Sequence, residues 1–246
     1  MDKPEIISAQ WPLLDKVTVV TTTRVGGVSK PPFDSFNLAE HVGDDPQAVA
    51  INRSRLNQHL QLPNSPVWLK QTHSAKVIEA SMMINSVEEA DAVFTSQPNV
   101  VCAIMTADCL PIVLSDQEGQ CIAIVHAGWR GLIGGIIENT VAAMKVHCAP
   151  NMAWLGPAIG APAFEVKADV YQAYLARNKR FASCFKACSQ HAWHFDIYAA
   201  ARLVLSLCGV ERTYGGDLCT VSDAQKFFSY RRDGVTGRQV TLAWIK

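Results

Sequence analysis

The chain has 246 residues, 49% hydrophobic and 18% charged, with 22 Lys+Arg balanced by 22 Asp+Glu. That length holds one large core or two small ones, and the balanced charge gives no electrostatic footprint for nucleic acid or an anionic membrane surface. No apolar run approaches the roughly 18 residues of a membrane-spanning helix. Asp2 and Glu5 stand where an export signal would be basic and then apolar, so the expectation is a soluble, cytoplasmic protein whose eight cysteines are reduced.

Residues 17–23 (VTVVTTT) are β-branched throughout and predict a strand, followed by a glycine loop through residues 24–29. Asp45-Pro46 is a helix start, with Asp as N-cap and Pro in the first turn, and Val49, Leu56 and Leu60 carry the helix to about residue 62. Short strands are predicted over 67–71, over 76–79 as its return strand, and over 92–95. A central block supplies three buried strands at 101–105, 111–114 and 121–125, then a helix over 132–146. The remaining expectations are a strand at 152–155, helices at 168–177 and 195–208, and a Gly-Gly turn within 213–218. Strands at 227–230 and 239–245, separated by an arginine-rich loop, complete the chain. Several strand pairs are joined too tightly for parallel crossovers, so a mixed-sheet α+β layered domain fits better than a doubly wound sheet.

His73, Cys109 and His126 each follow a predicted strand and precede polar or glycine-rich chain. One thiolate and two imidazoles leave a tetrahedral position open, as in a catalytic zinc site, and the same set also suits copper. No C-x-x-C or H-E-x-x-H spacing marks the trio, and buried or turn-forming roles are the ordinary alternative. Seven histidines without an H-x-H pair are too few for a multicopper relay. A metal-free reading uses Cys109 as nucleophile and His126 as base, in an amidase acting on a cell-wall precursor. A second group, Cys184, Cys188, His191 and His194, has ligand residue types at a spacing of no common pattern, and its cysteines also fit one helix face. His59 and His147 read as solvated helix residues.

Arg24, Arg130, Arg231 and Arg232 lie in predicted glycine-containing loops and are candidates for bidentate anion recognition. Arg130 stands out, four residues after His126 and just ahead of a helix start, where side chain and backbone amides can meet one anion. Asn37, Gln71 and Asp108 adjoin the same turns and are candidates to orient ligand or water, with a strand-end cap as the alternative for Asp108.

The segments RVGGVS, SFNLAEHVGDDP, WLKQTHS, MTADCLPIVL, HAGWRG, LGPAIG and FFSYRRDGVTGR, spread over residues 23–245, resemble the YfiH-like, laccase-domain family. That family has been described both as polyphenol oxidases and as zinc-dependent purine nucleoside phosphorylases with adenosine deaminase activity. The resemblance implies an α/β/β/α sandwich of mixed sheets in one domain over 1–246, with His73, Cys109 and His126 as ligands of Zn2+ or, alternatively, copper. It places Asn37, Gln71, Asp108, Arg130 and Arg232 in a polar pocket. There Arg130 and Arg232 would hold phosphate, and Asp108 would transfer protons. The implied substrates are phosphate and the purine nucleosides adenosine, inosine, guanosine and methylthioadenosine, in a monomer or small homo-oligomer without nucleic acid or membrane partners. Copper-dependent phenol oxidation, the Cys-His amidase and a non-enzymatic metal-keeping binding protein are the rivals.

Overall fold

Two β-branched runs, VTVVTT and QVTLAWI, pair antiparallel in the computed structural model, which describes residues 3–13, 15–82 and 87–246. Asp2 of the N-terminal reading lies outside the described residues. These runs, Val17–Thr22 (β2) and Gln239–Ile245 (β15), form an antiparallel sheet with Ile6–Ser8 (β1) and Cys102–Thr106 (β7), in the order β1-β2-β15-β7. A second sheet runs Arg212–Gly215 (β14), Met152–Leu155 (β10), Leu110–Ser115 (β8), Ile122–Ala127 (β9), Ala92–Thr95 (β6) and Val77–Glu79 (β4). It is mixed, because β14–β10 and β6–β4 are parallel while its central pairs are antiparallel. Every residue of β8 and β9 is buried; both faces are covered, so these strands read as continuous apolar runs rather than alternating ones.

The two sheets pack face to face through Val19, Ile104, Val113, Ile124 and Trp154. Outside the first sheet lies Pro46–Leu60 (α1), whose Leu56 joins Val20, Leu38 and Leu242. Outside the second lie Trp129–Gly134 (α2), Ile136–Met144 (α3), Ala168–Arg177 (α4) and Ile197–Leu207 (α5), around Ile112, Val125, Ile137, Tyr174 and Val204. The layering is therefore the expected α/β/β/α sandwich. Asp45 caps α1 by accepting the Gln47 N–H, and Asp196 caps α5 by accepting that of Ala199. No helix among the described residues is long and apolar enough to cross a membrane.

Several local expectations change. The single helix over 132–146 is two, because Gly135 takes φ 92 and ends α2 in a left-handed turn. The segment 76–79 is not the return strand of 67–71: β4 pairs with β6, whereas Leu69–Lys70 (β3) pairs with Glu88–Glu89 (β5). Phe227 and Phe228 are fully buried but lie in irregular chain, where the Phe228 N–H donates to the buried Gln239 side chain. Tyr230–Asp233 then forms a helical turn (α6) capped by Ser229. Phe195 belongs to a strand, Ala192–Phe195 (β13), which pairs with Glu165–Lys167 (β11) and Phe185–Ser189 (β12). Reduced thiols throughout is also corrected. Cys121 and Cys148 are disulfide-bonded with Cα atoms 6.3 Å apart, since α3 packs over β9 and its end returns to the start of that strand.

Candidate metal centre and its cavity

The β8–β9 hairpin delivers two of the three expected ligands. Cys109 directly precedes β8, and His126 lies within β9, opposite Pro111, rather than beyond its end. His126 falls on the same face as Ile122 and Ile124, at the end of the apolar row between the sheets. His73 arrives from the loop after β3 with φ 60. The three ligand atoms lie within 4.8 Å of one another, Cys109 Sγ is 3.7 Å from His73 Nε2, and the two imidazole rings meet edge-on at 4.7 Å. Gly128 makes this approach possible, because a Cβ there would stand 2.9 Å from both Cys109 Sγ and His73 Cδ2.

One residue absent from the sequence reading organises the trio. Asp91, fully buried at the foot of β6, accepts His126 Nδ1 at 2.8 Å and the His73 backbone N–H at 3.0 Å on one carboxylate oxygen. Its other oxygen accepts the Ser74 N–H at 2.6 Å, the Ser74 hydroxyl at 2.7 Å and the Thr72 N–H at 3.2 Å. A single carboxylate thus holds the left-handed turn at His73 and sets the His126 ring. With Nδ1–H engaged, Nε2 of His126 is the nitrogen left for a metal.

The charges follow from this packing. Burial opposes ionisation of Asp91, but hydrogen bonds from His126 and Ser74 outweigh it and hold the carboxyl below its usual range. Burial likewise opposes ionisation of Cys109, yet His126 and His73 draw the thiol down to about 6. Burial disfavours protonated His126, but the Cys109 sulfur and Asp91 push it up to about 9. This coupling favours a thiolate beside an imidazolium, whose proton a bound cation would displace. Thiolate and imidazole donors, a carboxylate behind one ring and a side open to a cavity fit a divalent ion such as zinc.

The cavity beside the trio has a volume of about 420 Å³ and a mixed lining. Trp129, Ile159, Phe164, Ile197 and Tyr230 supply apolar and aromatic surface, Arg130, Arg231 and Arg238 supply positive charge, and His41 lies among them with its protonation disfavoured by burial and by Arg238. Of the predicted pocket residues, Gln71, Asp108 and Arg130 line it; Asn37 and Arg232 do not. The Gln71 amide grips the backbone of Met105, donating to its carbonyl and accepting its N–H, each at 2.8 Å. Asp108, at φ 98, accepts the Thr220 hydroxyl and the Arg231 N–H, one on each oxygen at 2.6 Å. Asn37 is fully buried behind the cavity wall. Arg232 is turned inward onto the carbonyls of Thr220, Val221 and Phe227 and onto Asp233.

The Cys184 group forms no metal-capable cluster among the described residues: Cys184 is buried ahead of β12, while Cys188 and His191 are exposed near the turn of the β12–β13 hairpin. His147 is exposed and paired with Glu79 at 2.8 Å. Asp91, His41 and Arg238 carry no local sequence signature because each is distant in sequence from its partners; the faint signal for Asp91 is an acidic residue directly before the apolar run Ala92-Val93-Phe94.

The family model described as multi-copper polyphenol oxidoreductase laccase matches residues 18–246. A Shigella flexneri protein named purine nucleoside phosphorylase YfiH is 44% identical over 243 residues, covering 98% of this chain and 99% of that protein. The Escherichia coli K12 protein of the same name is 43% identical with the same coverage. Among solved structures, Neisseria meningitidis protein NMB0706 superposes with a TM-score of 0.93 at 45% identity, covering 98% of this chain and 99% of that one. YlmD from Geobacillus stearothermophilus superposes at 0.87 with 30% identity, covering 96% and 94%.

Proposed function

The chain belongs to the multi-copper polyphenol oxidoreductase laccase family, and on that premise we propose that it is a purine nucleoside phosphorylase that also deaminates adenosine. The observation that carries this reading is one cavity whose lining combines the His73–Cys109–His126 cluster with arginines and aromatic side chains. Relatives over 40% identical carry the name of the same activity.

In phosphorolysis a phosphate oxygen bonds to the ribose C1′ as the C1′–N bond breaks, and the base leaves with a proton. Positive charge grows on the sugar while an anion approaches it, so the site must concentrate phosphate and exclude competing water. The arginines attract the phosphate, with Arg130 at the cavity mouth. Tyr230 offers aromatic surface for the purine, while the rings of Trp129 and Phe164 carry the Arg130 and Arg231 guanidinium groups. Asp108, with both oxygens accepting, holds the Arg231 segment against Thr220 and acts here by positioning. His73, Cys109 and His126 would hold zinc, which would supply Lewis-acid polarisation when bound. In deamination, water replaces the C6 amine and ammonia leaves, so phosphate is not consumed.

Zinc-loaded protein given inosine and phosphate should yield hypoxanthine and ribose 1-phosphate with no oxygen uptake, and Cys109→Ala serves as the blank. Omitting phosphate should stop base release and leave conversion of adenosine to inosine intact. Copper-dependent phenol oxidation is the second reading, favoured by the family description and by a donor set that suits copper. Against it, the other metal-capable group among the described residues is Asp116, Cys121 and Cys148, which adds no imidazole. Oxygen uptake with a phenol that depends on Cys109, without base release, would reject the nucleoside reading.

A further inference from the structure

The arginines around the cavity are not equivalent. Arg130 and Arg231 are exposed at its rim. The Arg130 guanidinium lies over Trp129 at 4.2 Å from the ring centroid. Arg231 lies over Phe164 at 5.2 Å, and its Nη1 donates to the Glu165 carbonyl at 3.0 Å. Arg238 is half-buried instead. Its Nη1 donates to the carbonyls of Thr236 and Gly237, each at 2.9 Å, which pins the guanidinium plane. Its Nε and Nη2 have no protein acceptor among the described residues.

The backbone behind Arg238 is held as firmly. Its N–H donates to Asn37 Oδ1 at 3.0 Å, and the same oxygen accepts the Ala39 N–H at 3.1 Å. Asn37 Nδ2 donates to Asp44 at 2.9 Å, so one buried amide joins Arg238 to the loop that carries His41. Cys109, Asp108 and Tyr230, the ionisable groups whose negative forms would favour the Arg238 charge, line the same cavity as Arg238. A guanidinium drawn partly out of water with N–H groups unpaired is costly until an anion meets them.

We propose that Arg238 is the residue that binds inorganic phosphate in this cavity, offering its Nε and Nη2 to two phosphate oxygens beside the His73–Cys109–His126 cluster, with His41 adjacent and Asn37 as the positioning residue behind it. The inference rests on the phosphorolytic reading above. Arg130 and Arg231 attract the anion from the rim, and Arg238 fixes its orientation. The planar fork is the reason for arginine here, since a lysine ammonium meets phosphate as a point charge.

The test uses zinc-loaded wild type, Arg238→Gln and Arg238→Lys, with zinc content measured on each. Phosphate KM and inosine KM are determined separately, and binding of inorganic phosphate without nucleoside is followed by calorimetry. Arg238→Gln should raise both the phosphate KM and its Kd by about 10- to 100-fold, the worth of a charge-assisted hydrogen bond. Inosine KM and zinc content should stay near wild type, and Arg238→Lys should fall between. If Arg238→Gln does not fold, the lysine variant carries the same measurement. Unchanged phosphate binding, or absence of phosphate binding to wild type, overturns the proposal. So does loss of zinc without a change in phosphate Kd, which would make Arg238 the counter-charge of the thiolate. Arg238-dependent phosphate binding without base release from any nucleoside would instead keep the anion site and sink the phosphorylase reading.

Discussion

Two groups of metal-capable residues sit at opposite ends of the same β8–β9 hairpin. At one end are Cys109 and His126 with His73; at the other are Asp116 and Cys121 with Cys148. Each end has an aspartate that gathers backbone N–H groups: Asp91 takes those of Thr72, His73 and Ser74, and Asp116 takes those of Glu118, Gln120 and Cys121. Asp91 also grips the His126 ring, and its three ligand residues stay apart beside an open cavity. Asp116 closes a turn, and the two sulfurs beside it are bonded to each other. Suitable residue types within reach are therefore insufficient. Donors become a metal site when buried second partners orient them and leave one side open.

The sharpest way to break the contrast is Gly128→Ala. Its backbone angles accept alanine, but the added Cβ meets Cys109 and His73 at 2.9 Å. Zinc affinity, read by competition with a chelator, should fall by about 100-fold or more, the scale of a 1 Å misplacement. Wild-type affinity would show that the ligands yield easily, so that their spacing is not preset.

Asp91→Asn should weaken zinc by about 10- to 100-fold with the fold retained, and its pH behaviour sharpens the point. The depressed Cys109 stabilises metal-free protein above its ordinary value of 9.0, an effect lost as pH falls through about 6. The elevated His126 stabilises it below 6.5, an effect lost as pH rises through about 9. Between about 6 and about 9 both are charged, so zinc uptake near neutral pH should release about one proton, from His126. Calorimetry in buffers of different ionisation heat counts that proton. Asp91→Asn should release fewer, because the carboxylate that favours the imidazolium is gone. An unchanged count would mean that Cys109 alone sets the state of His126.

The smallest effect on the centre should come from the other end. Cys148→Ser should leave zinc content and base release near wild type, while oxidised protein loses up to about 3–4 kcal/mol of stability in chemical denaturation, the value for closing a loop of this length. Loss of zinc in that variant would join the two ends and dissolve the contrast.

The sequence by itself determined the strands at 92–95, 152–155 and 239–245 and the capped start of α1, and it singled out His73, Cys109 and His126 as candidate ligands. Each rests on local physics: β-branched or continuous apolar runs, an aspartate before a helix, and soft donors where apolar runs stop. The split at Gly135 and the turn at Tyr230 follow local signals, a left-handed glycine and the Ser229 cap, whereas the Cys121–Cys148 bond was decided by packing. Tertiary structure alone also chose among the arginines. Arg231 and Arg232 are adjacent in a helical turn and diverge, one lining the cavity and the other half-buried and bonded to backbone carbonyls. Arg238 shares a cavity with Cys109 because β15 lies beside β7, and Asp91 reaches His126 because β6 lies beside β9. Both partnerships span more than 30 residues of sequence, where no spacing rule reaches and only strand order brings the groups together.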